Sequence, residues 1–80
     1  MNECFLCVKR TSNVEYKFII NRKEKAIAIF HAILPNNAKI ILYAYDELAD
    51  FLYQKKPTQI FIRGELRENI KIEILEMYCM

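Results

Sequence analysis

Tryptophan is absent from this 80-residue chain, and glycine, histidine and serine occur once each, as Gly64, His31 and Ser12. One glycine cannot build a glycine-rich phosphate loop. One histidine and one serine leave no nucleophile, base and orienting group to assemble, and no cluster of metal ligands. A non-enzyme with no catalytic residue, metal or cofactor is therefore expected. Two prolines, Pro35 and Pro57, leave no material for a linker, so connections should be short and residues 1–80 should form one domain. No apolar run nears the ~18 residues that a membrane helix needs, and Met1-Asn2-Glu3-Cys4 opens no basic-then-apolar leader. The expectation is a soluble, non-secreted chain with no membrane partner. Three cysteines without framework spacing suit a reducing compartment. Cys4 and Cys7 superficially suggest a metal or redox pair. On a strand, however, residues three apart point to opposite faces and cannot share a zinc ion.

What the chain does have is apolar surface. At 54% hydrophobic residues it carries more than a core of this size needs, so some should meet a partner or a second copy. Net charge is only +2, but the span from Lys9 to Lys25 holds six cations and two carboxylates, a local charge of +4. A one-sided patch of that kind can attract phosphates, and it can equally be a solvated face.

Side-chain periodicity gives the elements. Residues 3–10, through Phe5, Leu6, Cys7 and Val8, read as a buried first strand. Val14, Tyr16, Phe18 and Ile20 alternate with polar neighbours as a half-buried strand, and Asn21-Arg22-Lys23-Glu24 turns the chain. Residues 25–34 form a second long strand, with Ala26, Ala28, Phe30, Ala32 and Leu34 on one face and Ile27, Ile29, His31 and Ile33 on the other. Pro35-Asn36-Asn37 makes a tight turn, because asparagine tolerates a left-handed backbone. Strand three spans 38–45. Asp46 to Lys55 is the one helix, with Asp46 as its cap, Leu48, Phe51 and Leu52 on one face and Pro57 ending it. Strand four runs over 58–66, Glu68-Asn69 turns, and Ile70 to Ile74 alternate as a final strand. A helix between strands three and four of a five-stranded antiparallel sheet is the order of the OB-fold barrel, a mainly all-β class. Closure also removes the edges that an open apolar sheet would expose.

The sequence resembles the OB-fold core of the bacterial and organellar single-stranded-DNA-binding proteins. Met1-Asn2 and Phe5-Leu6 open it. Asn13-Val14-Glu15-Tyr16-Lys17-Phe18 is similar to the family's Asp-Pro-Glu-Leu-Arg-Tyr, and Lys25-Ala26-Ile27-Ala28-Ile29-Phe30 to its Lys-Ala-Val-Ala-x-Phe. Tyr45-Asp46-Glu47-Leu48-Ala49-Asp50 looks like aromatic-Gly-Lys-Leu-Ala-Glu. Ile60-Phe61-Ile62-Arg63-Gly64-Glu65-Leu66-Arg67 looks like Val-x-Val-Glu-Gly-x-Leu-Arg. The bias toward Ile, Lys, Asn, Tyr and Phe is nearest to short plastid-encoded members. That implies a chloroplast stroma, or the cytoplasm of an AT-rich bacterium. The resemblance implies a homo-oligomer, dimer or tetramer, that binds single-stranded DNA, or RNA, in replication, repair or recombination. The chain departs from the pattern in its short hairpin turns and its lack of stacking tryptophans. No acidic-tipped recruiting tail is expected after Met80. These departures motivate the alternative, a trimmed OB module that docks on another protein instead.

Single-strand binding requires aromatic faces for bases and cations along the phosphates, with stacking contributing roughly 1–3 kcal/mol per base. Period two puts Lys39, Ile41, Tyr43 and Tyr45 on one face of strand three, and Tyr45 matches the family's stacking aromatic. On strand four, Phe61 and Arg63 share the face opposite Ile60, Ile62 and Gly64. Lys17 matches the family's arginine. The candidate nucleic-acid surface is therefore Lys17, Lys39, Tyr43, Tyr45, Phe61, Arg63, Arg67 and Lys71. The competing reading makes Tyr43, Tyr45 and Phe61 core or interface residues. Gly64 reads as a bulge or barrel bend, and His31 as a packed or interfacial side chain.

Overall fold

Runs of β-branched and aromatic residues form six strands, and Leu48, Ala49 and Leu52 at helical spacing form one helix, in the computed structural model, which describes residues 3–20, 22–68 and 71–79. The strands are β1 (Glu3–Arg10), β2 (Glu15–Phe18), β3 (Ala26–Ile33), β4 (Lys39–Tyr45), β5 (Gln59–Glu68) and β6 (Lys71–Cys79), and α1 (Asp46–Lys55) lies between β4 and β5. Hydrogen-bonded neighbours follow the order β1-β5-β6-β4-β3-β2. β1 also pairs with β3 through Lys9↔Ile33 and Arg10↔Ala32. Five strands thus return on themselves as a barrel, and β2 hangs on β3 outside the ring. This is the expected five-stranded OB arrangement with its helix between the third and fourth barrel strands. It differs in one seam, because β4 runs parallel to β6 over Ile41–Tyr43 and Lys71–Glu73.

The barrel interior is the even-numbered face of β3 and β4 with the matching faces of β5 and β6. Phe30, Leu42, Ala44, Ile60 and Ile74 are buried, and Leu52 and Ala49 of α1 close one end. Alanines at 26, 28, 32, 44 and 49 leave room for the bulkier Phe30 and Leu52. Gly64 has the role expected of a bulge residue. The β5–β6 register shifts beside it, and a Cβ there would lie 2.6 Å from the Glu73 carbonyl oxygen and 2.8 Å from Ile72 Cγ2.

The turn at Pro35–Asn37 is as expected: Asn37 has φ 67°, and Leu34 and Asn37 close the hairpin through N–H···O bonds of 2.9 and 2.8 Å. The start of α1 is not. Asp46 makes no cap for its own helix and has φ 52°. Its Oδ1 instead accepts from the Lys25 and Ala26 amides at 2.7 and 3.1 Å, tying the helix to β3. A short polar side chain tolerates that backbone, and the resembling motif carries glycine at this place. Three further expectations are corrected. β1 is not a buried strand, since Phe5 is 73% exposed and only Val8 is buried. Phe18 and Ile20 are each 81% exposed, because β2 lies outside the ring and only its first rungs are covered by α1. The last strand runs on to Cys79, beyond the expected 70–74. The Glu68-Asn69 turn, the start of the final strand at Ile70 and the opening Met1-Asn2 lie outside the described residues, as do the first position of the Asn21–Glu24 turn and Met80.

Candidate nucleic-acid interface

The β3–β4 hairpin fixes which side chains share the outer face. Its register pairs Ile27 with Tyr45, Ile29 with Tyr43, His31 with Ile41 and Ile33 with Lys39. β2 extends two of these rungs with Lys17 beside Ile27 and Glu15 beside Ile29. β6 extends two from the other side with Glu73 beside Tyr43 and Lys71 beside Ile41. The wall is therefore a set of crossing rows: Lys17–Ile27–Tyr45, then Glu15–Ile29–Tyr43–Glu73, then His31–Ile41–Lys71, then Ile33–Lys39. Along the strands the rows are roughly 6–7 Å apart, two residues of strand rise. Tyr43, Tyr45, His31 and Lys71 of these rows line a shallow cleft of about 390 Å³ together with Glu15, Arg67 and Glu68, and Lys17, Glu73 and Lys39 stand outside its lining.

Aromatic and cationic groups meet in that cleft. Tyr43 and Tyr45 stand edge to face, with ring centroids 5.8 Å apart and planes at 85°. The Arg22 guanidinium lies 5.8 Å from the Tyr45 centroid, within cation–π range. Both tyrosines are half-buried, with no place in the core cluster. Burial, then the Glu73 carboxylate, pushes the Tyr43 phenol above its ordinary range, with Arg67 opposing. Tyr43 therefore presents a neutral ring at any ordinary pH. Arg67 donates to Glu73 at 2.7 and 3.0 Å and pairs with Glu65 at 2.7 Å, which strengthens its hold on its proton. Lys17 faces Glu15 at 4.0 Å, with both side chains 67% exposed, a contact weak enough to exchange for a phosphate. Among the described residues no ion pair engages Lys39 or Lys71.

The expected single surface divides in two. Lys17, Tyr43, Tyr45, Arg67 and Lys71 lie on or beside the cleft, and Lys39 sits at the lower end of the same wall. Phe61 and Arg63 are elsewhere, on the wall formed by β1, β5 and β6, where the rows read Cys7–Phe61–Tyr78 and Phe5–Arg63–Glu76. Along β5, Phe61 is six residues from Arg67, about 20 Å of strand. Arg63 is held between Glu3, at 2.9 Å, and Glu76, and both bonds raise its affinity for its proton. Arg10, part of the basic stretch, is also engaged: it donates to the carbonyls of Ser12, Lys56 and Pro57 at 2.6–3.0 Å, holding β1 to the end of the helix. Cys4 and Cys7 are free thiols, and burial pushes the Cys4 thiol up. Among the described residues no group of His, Cys, Asp or Glu could hold a metal, and no helix is long and apolar enough to cross a membrane.

Sequence reasoning placed Ile41 on the face of Tyr43 and Tyr45 but missed Arg22, Ile27, Ile29 and His31 as parts of this wall. The signal was available: a tight turn centred on Asn36 makes the hairpin pairs symmetric about that residue, which puts the odd-numbered β3 side chains beside Tyr43 and Tyr45.

No protein-family model matches the sequence, and no curated protein matches it. Among solved structures, the chain is similar to the crystal structure of the SSB domain of a protein from Synechococcus sp. The TM-score is 0.83 at 15% identity, over 98% of this chain and 94% of that one. At that identity the likeness is one of architecture: this chain has the OB fold of an SSB domain.

Proposed function

We propose that this protein is a non-catalytic module that binds single-stranded DNA through the Tyr43–Tyr45 cleft and acts in DNA replication, repair or recombination. The observation that carries the reading is the placement of two half-buried tyrosine rings on an outer barrel wall between cations: Lys17 and Arg22 at one end, Lys71 and Lys39 at the other. Rings of this kind stack bases, and flanking cations neutralise phosphates. The shared architecture with an SSB domain supports it. Because the stacking groups are two tyrosines on short-looped strands, binding is modest and tolerant of sequence. It weakens as salt rises, through counterion release. RNA is the variant ligand that the same stacking would accept, and the bias toward Ile, Lys, Asn, Tyr and Phe is what supports a plastid stroma or a bacterial cytoplasm as the setting. Fluorescence anisotropy with an unstructured labelled oligonucleotide at low salt tests the reading. Binding that falls linearly in log–log form with salt is expected, and no binding at low salt refutes it.

The wall of β1, β5 and β6 favours a second, compatible role in assembly. Phe5, Phe61 and Tyr78 are 73%, 47% and 61% exposed around a charge-satisfied Arg63. Aromatic surface of this kind suits contact with another protein surface, a second copy first. If a different protein covers it, a stable hetero-complex without nucleic acid should be isolated, and the trimmed-module alternative then holds.

A further inference from the structure

His31 is the one histidine of the chain, and its place in the cleft gives it a use beyond packing. It is exposed on β3, directly across from Ile41, which in turn stands beside Lys71 of β6. Its backbone is fixed on both sides: the His31 amide donates to Ser12 Oγ at 2.8 Å, and its carbonyl accepts from the Thr11 amide at 2.8 Å. The ring therefore projects from a rigid strand, one row below Tyr43. Lys39 lies diagonally across β4, one row further on.

Resting on the single-strand reading above, we propose that His31 is a phosphate contact of the cleft, completing with Lys71 and Lys39 a cationic end that is full only when the imidazole is protonated. The alternative partners on this wall are few and named. β2 presents Glu15 and Lys17, β4 presents Lys39 and Tyr43, β5 presents Arg67 and Glu68, and β6 presents Lys71 and Glu73. The acids Glu15 and Glu73 flank the Tyr43 row, so a phosphate is disfavoured there and a base is favoured. Phosphates are then displaced to the rows above and below, and the lower row is His31–Ile41–Lys71. Arg67 is engaged by Glu65 and Glu73, and Glu68 stands across from Lys71 and offsets part of its charge, so the charge that His31 adds beside Lys39 matters more at this end.

The sign of the effect follows from linkage. Imidazole is the side chain whose charge ordinarily changes between pH 5 and 8. A bound phosphate favours the charged ring, so binding takes up a proton and affinity rises as pH falls across that window.

The test is anisotropy of a labelled oligo-dT with the full chain at matched ionic strength, between pH 8 and about pH 5.5. Wild type should bind about three- to tenfold tighter at the acid end. Its log–log salt slope there should be steeper by about 0.7, the value of one added phosphate contact on a single strand. His31→Gln, compared with its own affinity at pH 8, should show neither the tighter binding at the acid end nor the steeper slope. His31→Lys should show the steeper slope at both ends. Circular dichroism melting checks that these exposed substitutions leave the barrel folded. A pH response that survives in His31→Gln, or a wild-type slope that does not change with pH, overturns the proposal while leaving the cleft as the binding site. Absence of binding by every variant at every pH overturns the cleft reading, and this one with it.

Discussion

The two decorated walls of this barrel both expose aromatic rings, and they differ in what their neighbouring charges are doing. On the β2–β3–β4 wall, Tyr43 and Tyr45 are flanked by Lys17, Arg22, Lys39 and Lys71, whose ammonium and guanidinium groups are exposed or held only by weak surface pairs. On the β1–β5–β6 wall, Phe5, Phe61 and Tyr78 surround Arg63, whose guanidinium is already spanned by Glu3 and Glu76. From that wall toward the cleft, Arg63 and Arg67 of β5 are tied to Glu3 of β1, Glu65 of β5, and Glu73 and Glu76 of β6. That band carries acids alongside its arginines and offers a phosphate chain little reason to cross. The comparison teaches that an aromatic beside a cation is a binding signal only when the cation is not already satisfied.

The largest effect should come from exchanging one aromatic for alanine on each wall. Tyr45→Ala should weaken oligonucleotide binding about ten- to hundredfold, in line with the loss of one stacked base, with little change in melting temperature. Phe61→Ala should leave affinity within about twofold and lower the mass of the assembly seen by sedimentation. The reverse pattern would break the distinction between the walls. Gly64→Ala acts on the barrel that both walls share. A Cβ would press on the Glu73 carbonyl and Ile72, so denaturant unfolding should show a loss of about 1–3 kcal/mol. Smaller effects separate the cations. Lys71→Ala or Lys17→Ala should reduce affinity a few-fold and lower the salt slope by about 0.7 each, while Arg63→Gln should leave the slope unchanged.

The smallest effect belongs to a control on the face of β2 opposite Lys17. Tyr16 donates its hydroxyl to Asp50 of α1, and that bond first, then burial, raises its pKa. The folded-state value lies above the unfolded one, so the contribution is present below the ordinary tyrosine range near pH 10 and is lost as pH rises through the folded value. Tyr16→Phe should therefore melt slightly earlier than wild type at neutral pH, with the difference vanishing in strong alkali and oligonucleotide binding unchanged throughout.

Much of this was legible in residue order. Ala26, Ala28, Phe30 and Ala32 alternate cleanly, and the turn at Pro35–Asn37 has its left-handed asparagine. Lys55, Lys56 and Pro57 end the helix where the composition says they must, with Lys56 at φ 45° and its amide bonded to the Leu52 carbonyl at 2.9 Å. What was not legible depended on pairings distant in sequence. Period two places Phe61 and Arg63 on an outer face, but only the β1–β5–β6 register shows that this face is a different wall from that of Tyr45. Arg63 and Arg67 look like free cations in the sequence, and their carboxylates come from Glu3, Glu73 and Glu76 across strands. Phe5 and Phe18 read as buried because apolar alternation does not reveal that one strand's face is solvent-side and the other strand lies outside the ring. Asp46 reads as a helix cap, and only the contact with Lys25 and Ala26 shows that it fastens two elements instead.

The central claim is that a single strand is gripped by the tyrosine-bearing wall and not by the phenylalanine-bearing one. Amide chemical-shift mapping of the isotopically labelled protein, titrated with an unlabelled oligo-dT, tests it most directly. The account predicts saturable shifts grouped at Ile29, His31, Ile41, Tyr43, Tyr45 and Lys71, with Phe5, Cys7, Phe61 and Tyr78 unmoved. Shifts grouped around Phe61 and Arg63, with the hairpin of β3 and β4 silent, would contradict it.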